Sequence, residues 1–142
     1  MKNSTRHGLV FAVTISVVFT VIVVFGVLSV SAAEIEKVKP EDLKKLIDGS
    51  DPNIVVVDTQ PKGAYDLGHI KSAINFPWAP EIKSPGGLPR NKTLILYCDC
   101  AHEEDSTDVA EQLMKKFGYR NIKILERGWA KWQQSGYPVE KK

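Results

Sequence analysis

The chain has 142 residues, and 19 Lys and Arg against 17 Asp and Glu give a formal net charge of +2. So even a balance implies no polyanionic partner, and nucleic acid is not expected as a ligand. Two cysteines lie within one three-residue window, so they cannot staple distant segments; a disulfide scaffold is excluded and their use must be local.

Lys2 and Arg6 precede an uncharged apolar run, Leu9 to Val30, long enough to cross a bilayer as a helix. Small residues Ser31, Ala32 and Ala33 follow, before the first acidic residue, Glu34. A cleaved secretory signal has a shorter apolar region, about 7–15 residues, so the length favours an uncleaved anchor while leaving cleavage open. Basic residues on the N-terminal side alone place the remainder outside the cytoplasm, in a periplasmic or exported position. The expected division is a membrane anchor or signal peptide over 1–33 and a globular domain over 34–142.

"EIEKV" reads as a short linker strand. In "KPEDLKKLIDGS" Pro40 suits a first helical turn, Glu41 and Asp42 suit the positive end of the dipole, and Leu43, Leu46 and Ile47 share a face. Gly49 is expected to end that helix. "NIVVVD" is a near-continuous β-branched run, the pattern of a strand buried on both faces. "PKGAYDLGH" reads as a turn with a short helical piece, and "SAINFP" as a brief strand stopped by Pro77. "APEIKSPGGLPR" is a loop by composition.

"TLILYC" is a second buried strand, and Ser106 to Phe117 reads as an amphipathic helix. Its inward residues are Val109, Ala110, Leu113, Met114 and Phe117, and Gly118 closes it. "NIKILE" is a further strand and "WAKWQQSG" a last helix ended by Gly136. Strands alternating with helices predict an α/β fold with a parallel sheet of about five strands and helices on both faces. Sites in such sheets lie at the carboxyl ends of strands, where Asp58, Cys98 and Glu126 fall. There a strand–loop–helix unit aims backbone N–H groups and a helix N-terminus at Cys98, a setting that can lower a thiol pKa and hold anionic sulfur.

The sequence resembles the rhodanese-like (sulfurtransferase) family across nearly all of 34–140. "VVVDTQPKGAYDLGHIKSAINFP" is similar to its first signature, with Asp58, Tyr65, Gly68, His69, Ile70, Ala73, Asn75 and Pro77 in place. "LYC" with its loop and helix resembles the catalytic loop, and "LERGWAKWQQSGYP" the closing signature. The resemblance implies a two-step relay: the Cys98 thiolate takes a sulfane sulfur from a small-molecule or protein donor, holds it as a persulfide, and passes it to a thiol or other nucleophilic acceptor. It implies no cofactor and no metal. Cys100 is an auxiliary thiol, and Asp99, Ala101, His102, Glu103, Glu104, Asp105, Ser106, Asp58 and Arg127 are the candidate substrate-binding residues.

Several positions depart from the family pattern. Its loop commonly runs from Cys through four residues to Arg, then Ser or Thr. Counted from Cys98 the Arg position is Glu103, and counted from Cys100 it is Asp105. Ser106 follows Cys98 by eight residues rather than six, whereas from Cys100 the count of six is kept. The Arg usual after the first-signature aspartate is Gln60. Arginine's planar fork holds oxyanions, so phosphatase-like activity and efficient use of thiosulfate are not expected. The buried strand fixes the register of Cys98 and favours it as nucleophile; loop length favours Cys100. Arg127, where glycine is common, and Lys62 could restore positive charge, although solvated roles are the commoner fate.

The acidic run Glu103–Asp105 can cap the helix that follows, and it disfavours anionic donors. Other functions remain open. Cys98 and Cys100 could form a strained, easily reduced disulfide as an extracytoplasmic redox pair. Cys98, Cys100 and His102 with Glu103 or Glu104 could ligate a metal, though structural zinc sites space cysteines more widely. A catalytically silent binding module is the last alternative. His69 and Asp58 are expected to serve structure, and Trp78, Trp129 and Trp132 to supply core and rim packing.

Overall fold

The computed structural model describes residues 34–142, so the apolar run Leu9–Val30 and the expectations built on it lie outside the described residues. Among the described residues no helix is long and apolar enough to cross a membrane. Strands β1 (Lys37–Val38), β2 (Ile54–Asp58), β4 (Ile74–Asn75), β5 (Thr93–Tyr97) and β6 (Ile122–Leu125) form one sheet in the order β1-β6-β5-β2-β4. Every pairing in it is parallel. Helices α1 (Pro40–Asp48), α2 (Lys62–Leu67), α3 (Glu104–Phe117) and α4 (Gly128–Gln134) connect the strands.

Period-two alternation along β5 sends successive side chains into different cores. Leu94 and Leu96 join Val57, Ile124 and the α3 residues Val109, Ala110 and Leu113. Ile95 and Tyr97 join Val56, Leu125, Leu43, Ile70, Trp129 and Trp132 on the opposite face. Helices therefore cover both faces, which is why β2 and β5 read as unbroken apolar runs. Truncating any of the fully buried leucines to alanine should cost about 2–5 kcal/mol.

Four details differ from the sequence pattern. His69–Ile70 (β3) pairs antiparallel with Val139–Glu140 (β7), a small second sheet whose two-residue strands carry no periodic signal. Helix α1 does stop before Gly49, but that glycine is right-handed (φ −75°), and the left-handed residue is Ser50 (φ 51°). Helix α3 begins at Glu104, two residues before the expected Ser106, because Glu103 takes the left-handed turn (φ 58°) that precedes it. Trp78 is 42% exposed, its indole N–H donating to Asp108, whereas Trp129 and Trp132 are buried as expected.

Candidate functional site

Cys98 is the residue immediately after β5, the sheet's central strand, and it is 1% exposed. Its backbone is fixed from both sides. Thr59 donates its amide and hydroxyl to the Tyr97 carbonyl at 2.9 and 3.0 Å. The Trp129 amide donates to the Cys98 carbonyl at 2.9 Å. That last contact requires Gly128, where φ is +43° and a Cβ would stand 2.2 Å from the Cys98 oxygen. Sequence reasoning passed over Gly128 itself; its place in the closing signature, next to the position where the family commonly has glycine, was the available signal.

Two groups hydrogen-bond the Cys98 sulfur, and the Cys100 thiol also lies within reach of it. The Cys100 amide donates to it at 3.4 Å, and its own S–H donates to the Ser106 hydroxyl at 3.7 Å. Ser106 in turn donates to the Glu103 carbonyl at 3.0 Å. The expected set of several amides is thus reduced to one amide and one hydroxyl. The reason is local: the His102 amide is taken by the Glu104 carboxylate at 3.1 Å, and the Thr107 amide by the Glu103 carbonyl at 2.9 Å. Counted from Cys98, the first residue of α3 is the sixth, whereas Ser106, whose hydroxyl meets the Cys98 sulfur, is the eighth.

The three carboxylates of the run Glu103–Asp105 have separate partners. Glu103 is buried, one oxygen accepting from the Lys37 ammonium at 2.9 Å and the other from the Arg127 amide at 2.6 Å. It therefore ties the β5–α3 loop to β1 and to the β6–α4 turn. Its hydrogen bond and charge hold the Lys37 ammonium above the usual lysine range. Glu104 is exposed, and the amides of Glu104 itself and of His102 hold its carboxyl below the usual range. Asp105 lies against Cys100. Burial, then contact with Cys98, pushes the Cys100 thiol well up. With both Glu103 oxygens occupied, that carboxylate is not free for a metal, and among the described residues no three metal-ligating side chains gather.

Asp58 closes β2 at the neighbouring strand end and is fully buried. Its oxygens accept from the Gln60 amide at 2.8 Å and the Tyr97 hydroxyl at 2.6 Å. Burial raises its pKa, partly offset by those donors, and also pushes the Tyr97 phenol up. Asn75 donates to the Asp58 and Gln60 carbonyls at 3.2 and 2.8 Å. This is a structural network, in keeping with the role expected of Asp58. His69 stacks on Tyr65 and bonds its carbonyl through Nδ1 at 2.8 Å.

Asp99, Ala101 and His102 are exposed on the loop. Asp99, Ala101 and half-buried Cys100 line an open groove of about 290 Å³ with Arg127, Lys131 and Gln134. Arg127 is exposed and left-handed (φ 57°), so its side chain is available to this groove while its amide is committed to Glu103. Lys62 instead pairs with Asp66 on its own helix. Lys37 was missed by sequence reasoning, since a partner 66 residues away leaves no local signal.

Comparison with known proteins agrees with this geometry. The rhodanese-like domain family matches residues 39–135. The thiosulfate:glutathione sulfurtransferase of Saccharomyces cerevisiae is 26% identical over 121 residues, 76% of this chain and 85% of the yeast protein. An HTH-type transcriptional regulator of Mycobacterium tuberculosis is 31% identical over 87 residues, 61% of this chain but only 38% of the regulator. Among solved structures, a Bacillus halodurans protein superposes with a TM-score of 0.68 at 27% identity, covering 75% of this chain and 77% of that one.

Proposed function

The chain belongs to the rhodanese-like family, and on that premise we propose that it is a sulfurtransferase carrying sulfane sulfur on Cys98 and delivering it to a thiol acceptor. The observation that carries this is the seat of the Cys98 sulfur, at the carboxyl end of the central strand, between the Cys100 amide and the Ser106 hydroxyl. When Cys98 ionises, the Ser106 hydroxyl can turn its proton from the Glu103 carbonyl to the sulfur, giving the thiolate two donors. Cys98 is the nucleophile on a further ground: the raised pKa of the Cys100 thiol keeps that group in its neutral form. A thiolate, not a thiol, is the attacking species.

Donor choice follows from charge. No lysine or arginine occupies the loop from Asp99 to Asp105, and the position where arginine is usual holds Glu103. A persulfide or protein-borne donor therefore fits better than thiosulfate, an anion that would meet Asp99, Glu104 and Asp105. Because Cys98 is buried, the segment 99–102, exposed except at half-buried Cys100, must yield to admit a donor. The run Leu9–Val30 would hold the domain at the outer face of a membrane, a position testable by fractionation and protease protection.

Intact mass after exposure to a low-molecular-weight persulfide is the deciding measurement. Wild-type protein should gain one sulfur atom, Cys98→Ser should gain none, and thiosulfate should load far less than the persulfide. Loading that survives in Cys98→Ser but not in Cys100→Ser would transfer the role to Cys100.

A further inference from the structure

Sulfur transfer through Cys98 leaves the second cysteine unexplained. Cys100 is the residue whose amide holds the Cys98 sulfur, and its thiol is within hydrogen-bond reach of that same sulfur. It differs from Cys98 in exposure: Cys98 is 1% exposed, whereas Cys100 is half-buried and lines the groove with Arg127 and Lys131. One thiol of the pair is sealed and the other touches both its neighbour and solvent.

We propose that Cys100 resolves the Cys98 persulfide inside the loop, releasing the sulfane sulfur as sulfide and leaving a Cys98–Cys100 disulfide. This rests on the reading of Cys98 as the sulfur carrier. The Cys100 sulfur attacks the inner sulfur of the persulfide, Cys98 Sγ. The bond between the two cysteine sulfurs forms, the bond from Sγ to the outer sulfur breaks, and that sulfur leaves with the electron pair. The sulfane sulfur is reduced to sulfide while two cysteine thiols are oxidised to one disulfide, so no other oxidant is needed. The Cys100 proton passes to the Asp105 carboxylate, which lies against it, and on to the departing sulfide.

Two properties shape this step. The high pKa of Cys100 keeps resolution slow at neutral pH, so an external acceptor can compete for the sulfur before the loop discharges it. A disulfide between residues two apart closes a small, strained ring, which a thiol opens readily. Resetting consumes two equivalents of an external thiol, which leaves as its own disulfide. That thiol meets Cys100 from the groove that Asp99, Arg127 and Lys131 also line.

The test uses the full-length protein, reduced, loaded with glutathione persulfide, and freed of small molecules under anaerobic conditions. Intact mass and released sulfide are then followed together. Wild-type protein should lose the added sulfur and end two hydrogen atoms lighter than the reduced chain, with one sulfide released per disulfide formed. Cys100→Ser and Cys100→Ala should both keep the added sulfur, with a lifetime longer by about tenfold or more, as expected when an intramolecular nucleophile is removed. If wild type and both variants load and hold sulfur equally long, this inference fails while sulfur carriage on Cys98 stands. A disulfide that appears without sulfide release overturns it too. If no protein loads at all, both fall.

Discussion

Two buried carboxylates stand at adjacent strand ends, and the protein treats them differently. Asp58, at the end of β2, forms no salt bridge among the described residues and is satisfied by the Gln60 amide and the Tyr97 hydroxyl. Glu103, in the loop after β5, shares an ion pair with Lys37 and accepts a hydrogen bond from the Arg127 amide. The first belongs to a hydrogen-bonded network without an ion pair among the described residues. The second is a charged brace joining the reactive loop to two other elements. The contrast shows how a loop rich in acid can still sit beside a reactive sulfur. One carboxylate is paired with a lysine, another is folded onto the loop's own amide, and Asp105 alone faces a thiol, that of Cys100.

Breaking the brace from its far side should have the largest effect. Gly128→Ala places a methyl group 2.2 Å from the Cys98 carbonyl oxygen at a left-handed backbone position, so the turn must move and the Trp129 bond to that oxygen must lengthen. A loss of about 3 kcal/mol or more in chemical denaturation is expected. Sulfur loading of Cys98 should fall with it.

Glu103→Ala comes next. It leaves the Arg127 amide without its acceptor, at a cost of about 1–3 kcal/mol, while the half-exposed Lys37 can turn to water. Glu103→Gln should recover most of this, because an amide oxygen still accepts from Arg127 and a half-exposed ion pair contributes only about 0–1 kcal/mol. Equal losses in the two variants would mean that the charge, and not the bond to Arg127, is what matters. The same pair has a pH signature. Lys37 titrates above its ordinary 10.5 in the fold, so its contribution is complete below pH 10.5 and disappears as pH rises past that value. Glu103→Gln should remove that alkaline loss.

Asp58→Asn should be the mildest change, about 1 kcal/mol, since one carbonyl oxygen can serve only one of the two donors well. Its pH dependence runs opposite to that of an ordinary paired aspartate. Burial raises the folded pKa above 3.8, so the folded state keeps the proton longer and wild type loses stability as pH rises from 3.8 through the folded value. Asparagine has no such loss, and the gap between the two proteins should narrow across that window. A gap that widens with pH would show that the ionised carboxylate is the preferred form.

Much of this arrangement was legible in the sequence, for reasons that can be named. β2 and β5 announced themselves because a strand covered on both faces needs an unbroken apolar run. That run fixed the register of Cys98 at the strand end, and the amphipathic pattern of α3 was read correctly except at its start. The start was misplaced because Glu103 adopts a left-handed turn, which no local propensity of glutamate foretells. The small β3–β7 sheet was missed because two-residue strands carry no alternation.

What the sequence determined on its own was therefore the alternation of strands and helices, the two-sided core and the placing of a thiol at the end of a buried strand. Those features follow from burial, and burial writes itself into residue type position by position. The destination of each loop carboxylate, the need for glycine at 128 and the difference in exposure between Cys98 and Cys100 were decided only in three dimensions. Each depends on a partner supplied by a distant element, and charge or chain proximity alone cannot say which donor will arrive.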